Sequence, residues 1–196
     1  MSKKTSSDVT ELQEGDLAPD FEALTHTGTP FRLREQRGRW VVVYFYPRDH
    51  TPGCTREACG FRDRYDALQR LGAVVVGVST DSAASHARFA ERQRLPFVLV
   101  SDPEGVVCRR YGARGLKRFM GRTHEGTLRV TFVIDPEGRI RRIWRRVRPD
   151  GHADEVLATL RELQSGEVGS RGGPKPGTGR SGRGRVGKGG GSGAEG

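Results

Sequence analysis

Trp40-Val41-Val42-Val43-Tyr44-Phe45-Tyr46-Pro47-Arg48-Asp49-His50-Thr51-Pro52-Gly53-Cys54-Thr55-Arg56-Glu57-Ala58-Cys59 is the stretch that decides how this chain folds. Its first seven residues are β-branched or aromatic without interruption, the composition of a strand buried on both faces. Pro47 has no N–H to give to a ladder and ends it. A short loop follows, and the pattern predicts a helix over residues 54–71 that Gly72 stops. Such a junction leaves Cys54 where free backbone N–H groups and the positive end of the helix dipole converge. Both favour thiolate over thiol, and thiolate is the nucleophile. Thr51, three residues earlier, is placed for its hydroxyl to bond the sulfur or a substrate oxygen.

Outward from this junction, apolar runs at 73–78, 97–100 and 129–134 read as further strands. Asp135-Pro136-Glu137-Gly138 is a turn, so residues 140–147 close a hairpin with the run before them. Helical patterns fill 82–94, 103–111 and 152–163, and a small extra hairpin is expected from 21–24 and 31–33. Strands separated by helices imply an α/β domain with a central mixed sheet flanked by helices, its parallel members inside. The order is similar to the thioredoxin-like architecture.

The chain has 196 residues and a net charge of +10, with 34% hydrophobic and 30% charged residues. One domain is expected over 13–164, between a flexible N-terminus at 1–12 and a tail at 165–196. The tail holds 14 of the 28 glycines and almost no apolar side chain, too little to offset its backbone entropy, so it is expected to be disordered. It carries six basic and two acidic residues, +4 of the total, and leaves +6 on the body. Neither share is extreme, and the tail has no aromatics to stack on bases, so nucleic acid is a weak reading of it. No apolar run is long enough to cross a bilayer. Lys3 and Lys4 precede no apolar segment, unlike a secretory signal, and a cytoplasmic location is expected.

On a helical wheel Ala58, Phe61, Tyr65 and Leu68 fall within about 40° of Cys54, on the stripe that must face the interior. Cys59 falls about 140° away, between Asp63 and Asp66, on the wet side. An intact helix holds the two Cα atoms roughly 8–9 Å apart, and a disulfide tolerates at most about 7 Å. A bond between them requires the first turns to unwind.

Pro47-x3-Thr51-x2-Cys54 resembles the active-site signature of the peroxiredoxins, and the wider stretch 44–59 resembles their bacterioferritin comigratory protein (peroxiredoxin Q) branch. Gly77-Val78-Ser79-Thr80-Asp81, Phe119-Met120-Gly121 and Arg129-Val130-Thr131-Phe132-Val133-Ile134-Asp135 match as well, so the resemblance covers about residues 15 to 164. It implies a peroxidatic Cys54, a resolving Cys59 in the same helix, and Arg129 as the arginine that contacts sulfur and peroxide. It implies a hydroperoxide substrate bound by Thr51, Gly53, Cys54 and Arg129, with Pro47 in the motif. The sulfenic acid on Cys54 would condense with Cys59 and be reset by thioredoxin or a similar dithiol. No cofactor or metal is implied, and relatives of this branch are often monomers.

Other readings stay open beside this one. Cys59 as an incidental thiol leaves a one-cysteine peroxidase resolved by an external thiol. Cys108 is a core-lining residue or an alternative redox partner. His50 beside Cys54 suggests a Cys–His pair, but adjacency does not give that geometry. Glu57 is set to hydrogen-bond Arg129 or to cap the first turn. C-x4-C lacks a second ligand pair for zinc.

Overall fold

A computed structural model describes residues 11–119 and 121–171. The first half of the chain forms β1 (Glu22–Leu24), β2 (Pro30–Arg32), β3 (Trp40–Phe45), α1 (Pro52–Arg70), β4 (Ala73–Ser79) and α2 (Ala83–Gln93). The second half forms β5 (Val98–Ser101), α3 (Val106–Arg110), β6 (Arg114–Phe119), β7 (Arg122–Thr127), β8 (Val130–Ile134), β9 (Ile140–Trp144) and α4 (His152–Arg171). The main sheet has five strands in the order β5-β4-β3-β8-β9, with β3, β4 and β5 parallel and β8 and β9 antiparallel to their neighbours. This is the mixed sheet flanked by helices that the pattern implies, except that parallel β5 lies at an edge and antiparallel β8 inside, and β1–β2 is the expected extra hairpin.

The pleat of β3 divides the core. Trp40, Val42, Tyr44 and Tyr46 point to one face, where they pack with Phe61 and Leu68 of α1, Phe89 of α2 and Leu160 of α4. Val41, Val43 and Phe45 point to the other, against Val107, Cys108 and Tyr111 around α3, with Phe21, Phe31 and Leu33 from the hairpin. Both faces are covered, which is why the run shows no polar alternation. Each side chain of this size contributes about 1.5–3 kcal/mol when fully buried. Gly77 in β4 leaves room for the Tyr44 ring: a Cβ there would stand 2.7 Å from the Tyr44 hydroxyl and from Leu99.

Two regions depart from the pattern. β6 and β7 pair as an antiparallel arm that the sequence does not announce. Its residues are mostly polar, with no apolar alternation to mark a strand, and Leu116 is 78% exposed. Helix α4 runs past Leu163, where its apolar pattern ends, to Arg171. A docked helix adds a backbone bond per residue without needing further burial. Gln164 also ties α4 to α1 by donating Nε2 to the Leu71 carbonyl at 2.7 Å. Residues 1–10 and 172–196, which carry most of the expected flexible N-terminus and tail, lie outside the described residues, as does Met120 of the Phe119-Met120-Gly121 match.

Candidate active site

The loop between β3 and α1 is anchored by a buried acid. Asp49 donates its backbone N–H to Asp81 at 2.9 Å, and its carboxylate accepts from Tyr46 at 2.8 Å and Ser85 at 2.7 Å. It also lies 2.8 Å from His86 Nδ1. Burial pushes the Asp49 carboxyl up, but the bonds from His86, Ser85 and Tyr46 and the charge on His86 more than offset this, holding it below the ordinary range. Ser79 donates to Asp81 at 2.7 Å, so the loop, β4 and the start of α2 share one polar network. Motif reading does not find these residues. Asp49 stands inside the quoted stretch, yet nothing local distinguishes a buried loop acid from a solvated one. Asp49, Asp81 and His86 bring ligand atoms within 4.8 Å of one another, but those atoms are already engaged with protein groups and with each other.

Helix α1 starts where expected. Thr51 is its N-cap residue and Pro52 its first helical residue, a position where a missing N–H is harmless. The Thr51 side chain caps no N–H and instead donates to the Arg48 carbonyl at 3.0 Å. It is not bonded to the sulfur, because its proton is used to close the loop. His50, exposed and at φ 59°, sets its ring edge-on to Phe89 with centroids 5.2 Å apart, so the ring is engaged with α2 and does not pair with Cys54.

Cys54 is 1% exposed, and Arg129 Nη2 donates to its Sγ at 3.2 Å. The other branch of the guanidinium, Nη1, donates to Glu57. Register explains how a residue so distant in sequence arrives there. β8 runs antiparallel to β3 with Val130 opposite Phe45, so Arg129 stands at the end of β3 where the loop to α1 begins. Gly53 permits the approach, since a Cβ at that position would lie 2.7 Å from Arg129 Nη2. Of the two roles open to Glu57, the bond to Arg129 is the one formed.

The electrostatics follow from burial and pairing. Burial raises Glu57 from the ordinary 4.5 to about 7, and the charge and hydrogen bond of Arg129 restrain the rise. Glu57 Oε1 and the Tyr44 hydroxyl are buried without a hydrogen-bond partner among the described residues. Burial alone would lower Arg129, but Glu57 and Cys54 outweigh it and hold the guanidinium charged.

Cys54, Cys59 and Cys108 are all free thiols. Cys59 lies in the intact part of α1, half-buried rather than on the wet side, with Sγ donating to Gln93 Oε1 at 3.6 Å. A wheel reports only a helix's own pattern, and here the end of α2 covers the flank. Cys108 lines the opposite face of the sheet from Cys54, which removes it from reach as a partner. Burial first, and then the charge of Asp102, push its thiol far above the usual range.

Residues 15–143 match the AhpC/TSA family. The peroxiredoxin Bcp of Bacillus subtilis is 41% identical over 152 residues, covering 78% of this chain and 97% of that protein. Peroxiredoxin Bcp of Escherichia coli is 42% identical over 151 residues, covering 77% and 97%. Among solved structures, the bacterioferritin comigratory protein of Xanthomonas campestris, captured in trapped intermediate and ligand complexes bearing on its alkyl peroxide reduction activity, superposes with a TM-score of 0.70 at 39% identity. That match covers 73% of this chain and 91% of the other. With the thioredoxin-like sheet, the buried cysteine at a helix start and these relatives in agreement, the chain belongs to the AhpC/TSA family, in its Bcp (peroxiredoxin Q) branch, and is a thiol-dependent peroxidase.

Proposed function

We propose that Cys54 is the peroxidatic cysteine and Cys59 the resolving one. The observation that carries this reading is the Arg129 fork, with one nitrogen on the Cys54 sulfur and the other on buried Glu57. A planar guanidinium fixed on both sides is a preorganised donor for charge developing on a reacting oxygen.

In the first step the Cys54 thiolate attacks one oxygen of the hydroperoxide. The S–O bond forms and the O–O bond breaks. The departing oxygen takes up the proton the thiol gave away and leaves as water or alcohol. Arg129 and the backbone N–H groups of Gly53 and Cys54, unpaired within the first helical turn, steady the charge on that oxygen. Thr51, its proton committed to Arg48, meets the substrate as an acceptor for the peroxide O–H. Pro47 acts by position, ending the strand so that the loop delivers Thr51 and Cys54 together.

The resulting sulfenic acid condenses with Cys59 and releases water. The intact helix keeps the two Cα atoms roughly 8–9 Å apart, so α1 must unwind at its start. That unwinding breaks the Arg129–Cys54 bond, the Arg129–Glu57 pair and the exposed Arg56–Asp150 pair. A dithiol such as thioredoxin then reduces the disulfide by exchange. We place the enzyme in the cytoplasm as a monomer. Among the described residues no helix is long and apolar enough to cross a membrane.

Intact mass after one equivalent of hydrogen peroxide, followed by peptide mapping, tests the reading. Loss of two hydrogens on a peptide linking residues 54 and 59 is the expected result. Cys54→Ser removes peroxide consumption, and Cys59→Ser allows one turnover and then stalls until an external thiol is added. Consumption by Cys54→Ser at the wild-type rate would refute the assignment.

A further inference from the structure

Gln93, the last residue of α2, uses both of its oxygens against α1. Its side-chain Oε1 accepts from the Cys59 Sγ at 3.6 Å, and its main-chain oxygen accepts from Arg62 Nη1 at 2.9 Å. Arg62 stands about one turn beyond Cys59, so it fixes the end of α2 over the thiol. An amide oxygen offers lone pairs and no proton, and it can hold sulfur only as S–H. The Arg62 guanidinium, shared with Asp63, also lies beside the Cys59 sulfur, and a cation there favours the thiolate. The Cys59 sulfur thus lies between an acceptor on α2 and a cation on its own helix.

We infer that Gln93 is a positioning residue for the second chemical step, holding Cys59 as a protonated thiol against α2 and delaying its condensation with the Cys54 sulfenic acid. This rests on the reading of Cys59 as the resolving cysteine. In that step Cys59 gives up its proton and its sulfur attacks the Cys54 sulfur. The S–S bond forms, the S–O bond breaks, and the hydroxide takes up a proton and leaves as water. The oxidant is the hydroperoxide already spent in the first step. While Gln93 keeps its hold, the sulfenic acid stays exposed to a second peroxide, which carries it on to sulfinic acid. Gln93 thus sets the balance between closing the disulfide and overoxidation.

Rapid-quench mass spectrometry of the full-length enzyme with hydrogen peroxide, repeated across a pH series, separates the two steps. Gln93→Ala forms sulfenic acid at the wild-type rate and closes the disulfide about two- to fivefold faster, the scale of one weak hydrogen bond. With the acceptor gone, less sulfinic acid accumulates under excess peroxide. Gln93→Glu, which presents a charged acceptor, closes more slowly than wild type. Opposite signs for the two variants distinguish this role from a structural one. Shifts in the same direction would overturn the inference. So would slower closing by Gln93→Ala, which would mean that the amide donates to the thiolate. If wild type itself forms no bond between residues 54 and 59, the reading of Cys59 fails and this assignment with it. If wild type forms the bond and the variants match it, the Gln93 assignment alone fails.

Discussion

Cys54 and Cys108 are 1% and 0% exposed and lie under opposite faces of one sheet, but their neighbours carry opposite charge. The Cys54 sulfur accepts a bond from the Arg129 guanidinium. Cys108 lies by the Asp102 carboxylate, which its own backbone N–H holds in place at 2.8 Å. Burial penalises a charged sulfur in both places. At Cys108 the carboxylate adds to the penalty and the thiol is locked in its neutral form. At Cys54 a fixed cation opposes it. On the proposed assignment, the sign of the group beside a buried thiol, rather than burial, separates the reacting cysteine from the inert one.

The most direct way to break the contrast is to remove the cation. Arg129→Lys is expected to lower the second-order rate with hydrogen peroxide by roughly 10²–10³-fold, the scale of losing a preorganised donor. An ammonium cannot bridge Cys54 and Glu57 as the planar fork does. Stopped-flow measurement of the first step checks this, and a rate within about threefold of wild type would show that the fork is dispensable.

Glu57 sharpens the same point through pH. Its folded value of about 7 exceeds the ordinary 4.5, so between these values the native state binds the proton more tightly than the unfolded chain does. The stability this contributes is complete below 4.5 and is lost as pH rises through about 7. The difference amounts to about 3 kcal/mol. His26 and His152, both lowered chiefly by burial, act in the other direction, since their contribution is present above 6.5 and is lost as pH falls. Comparison with Glu57→Gln isolates the one group. In urea unfolding at acid and alkaline pH, the stability of wild type minus that of the variant is expected to fall by about 3 kcal/mol on going to alkaline pH. A constant difference would show that folding leaves the proton affinity of Glu57 unchanged.

Crowding of the fork by Gly53→Ala is a smaller perturbation. The new Cβ must displace a guanidinium nitrogen 2.7 Å away, and a shift of this size at a reacting centre is expected to slow the peroxide step about tenfold. An unchanged rate would mean that Arg129 can retreat without cost.

The sequence shows much of this contrast and hides the rest for identifiable reasons. Periodicity places Cys54 on the buried stripe of α1 because the stripe is written within one helix, among Ala58, Phe61 and Leu68. It cannot name what faces that stripe. Arg129 comes from resemblance, since a contact across 75 residues leaves no local pattern. The Asp49–His86 network escapes for the same reason, and the wheel sets Cys59 in water because nothing in α1 records the approach of Gln93. The β6–β7 arm leaves no trace because its residues are mostly polar and carry no apolar alternation.

The mildest test falls on the other thiol. Cys108 packs with Val107, Tyr111 and Phe132, and Thr127 donates to its sulfur at 4.0 Å. Replacing it by alanine removes one buried atom and leaves a small void, which is expected to cost about 1 kcal/mol of stability. The peroxidase rate with a thiol reductant should stay within about twofold of wild type, because the sheet lies between this sulfur and Cys54 and a disulfide spans at most about 7 Å between Cα atoms. If Cys108→Ala instead lost activity while keeping its stability, the sulfur would be taking part in turnover. The chain would then have to open its second core far enough to bring a carboxylate-flanked thiol to the oxidised one, and the sign of the neighbouring charge would no longer separate the two cysteines.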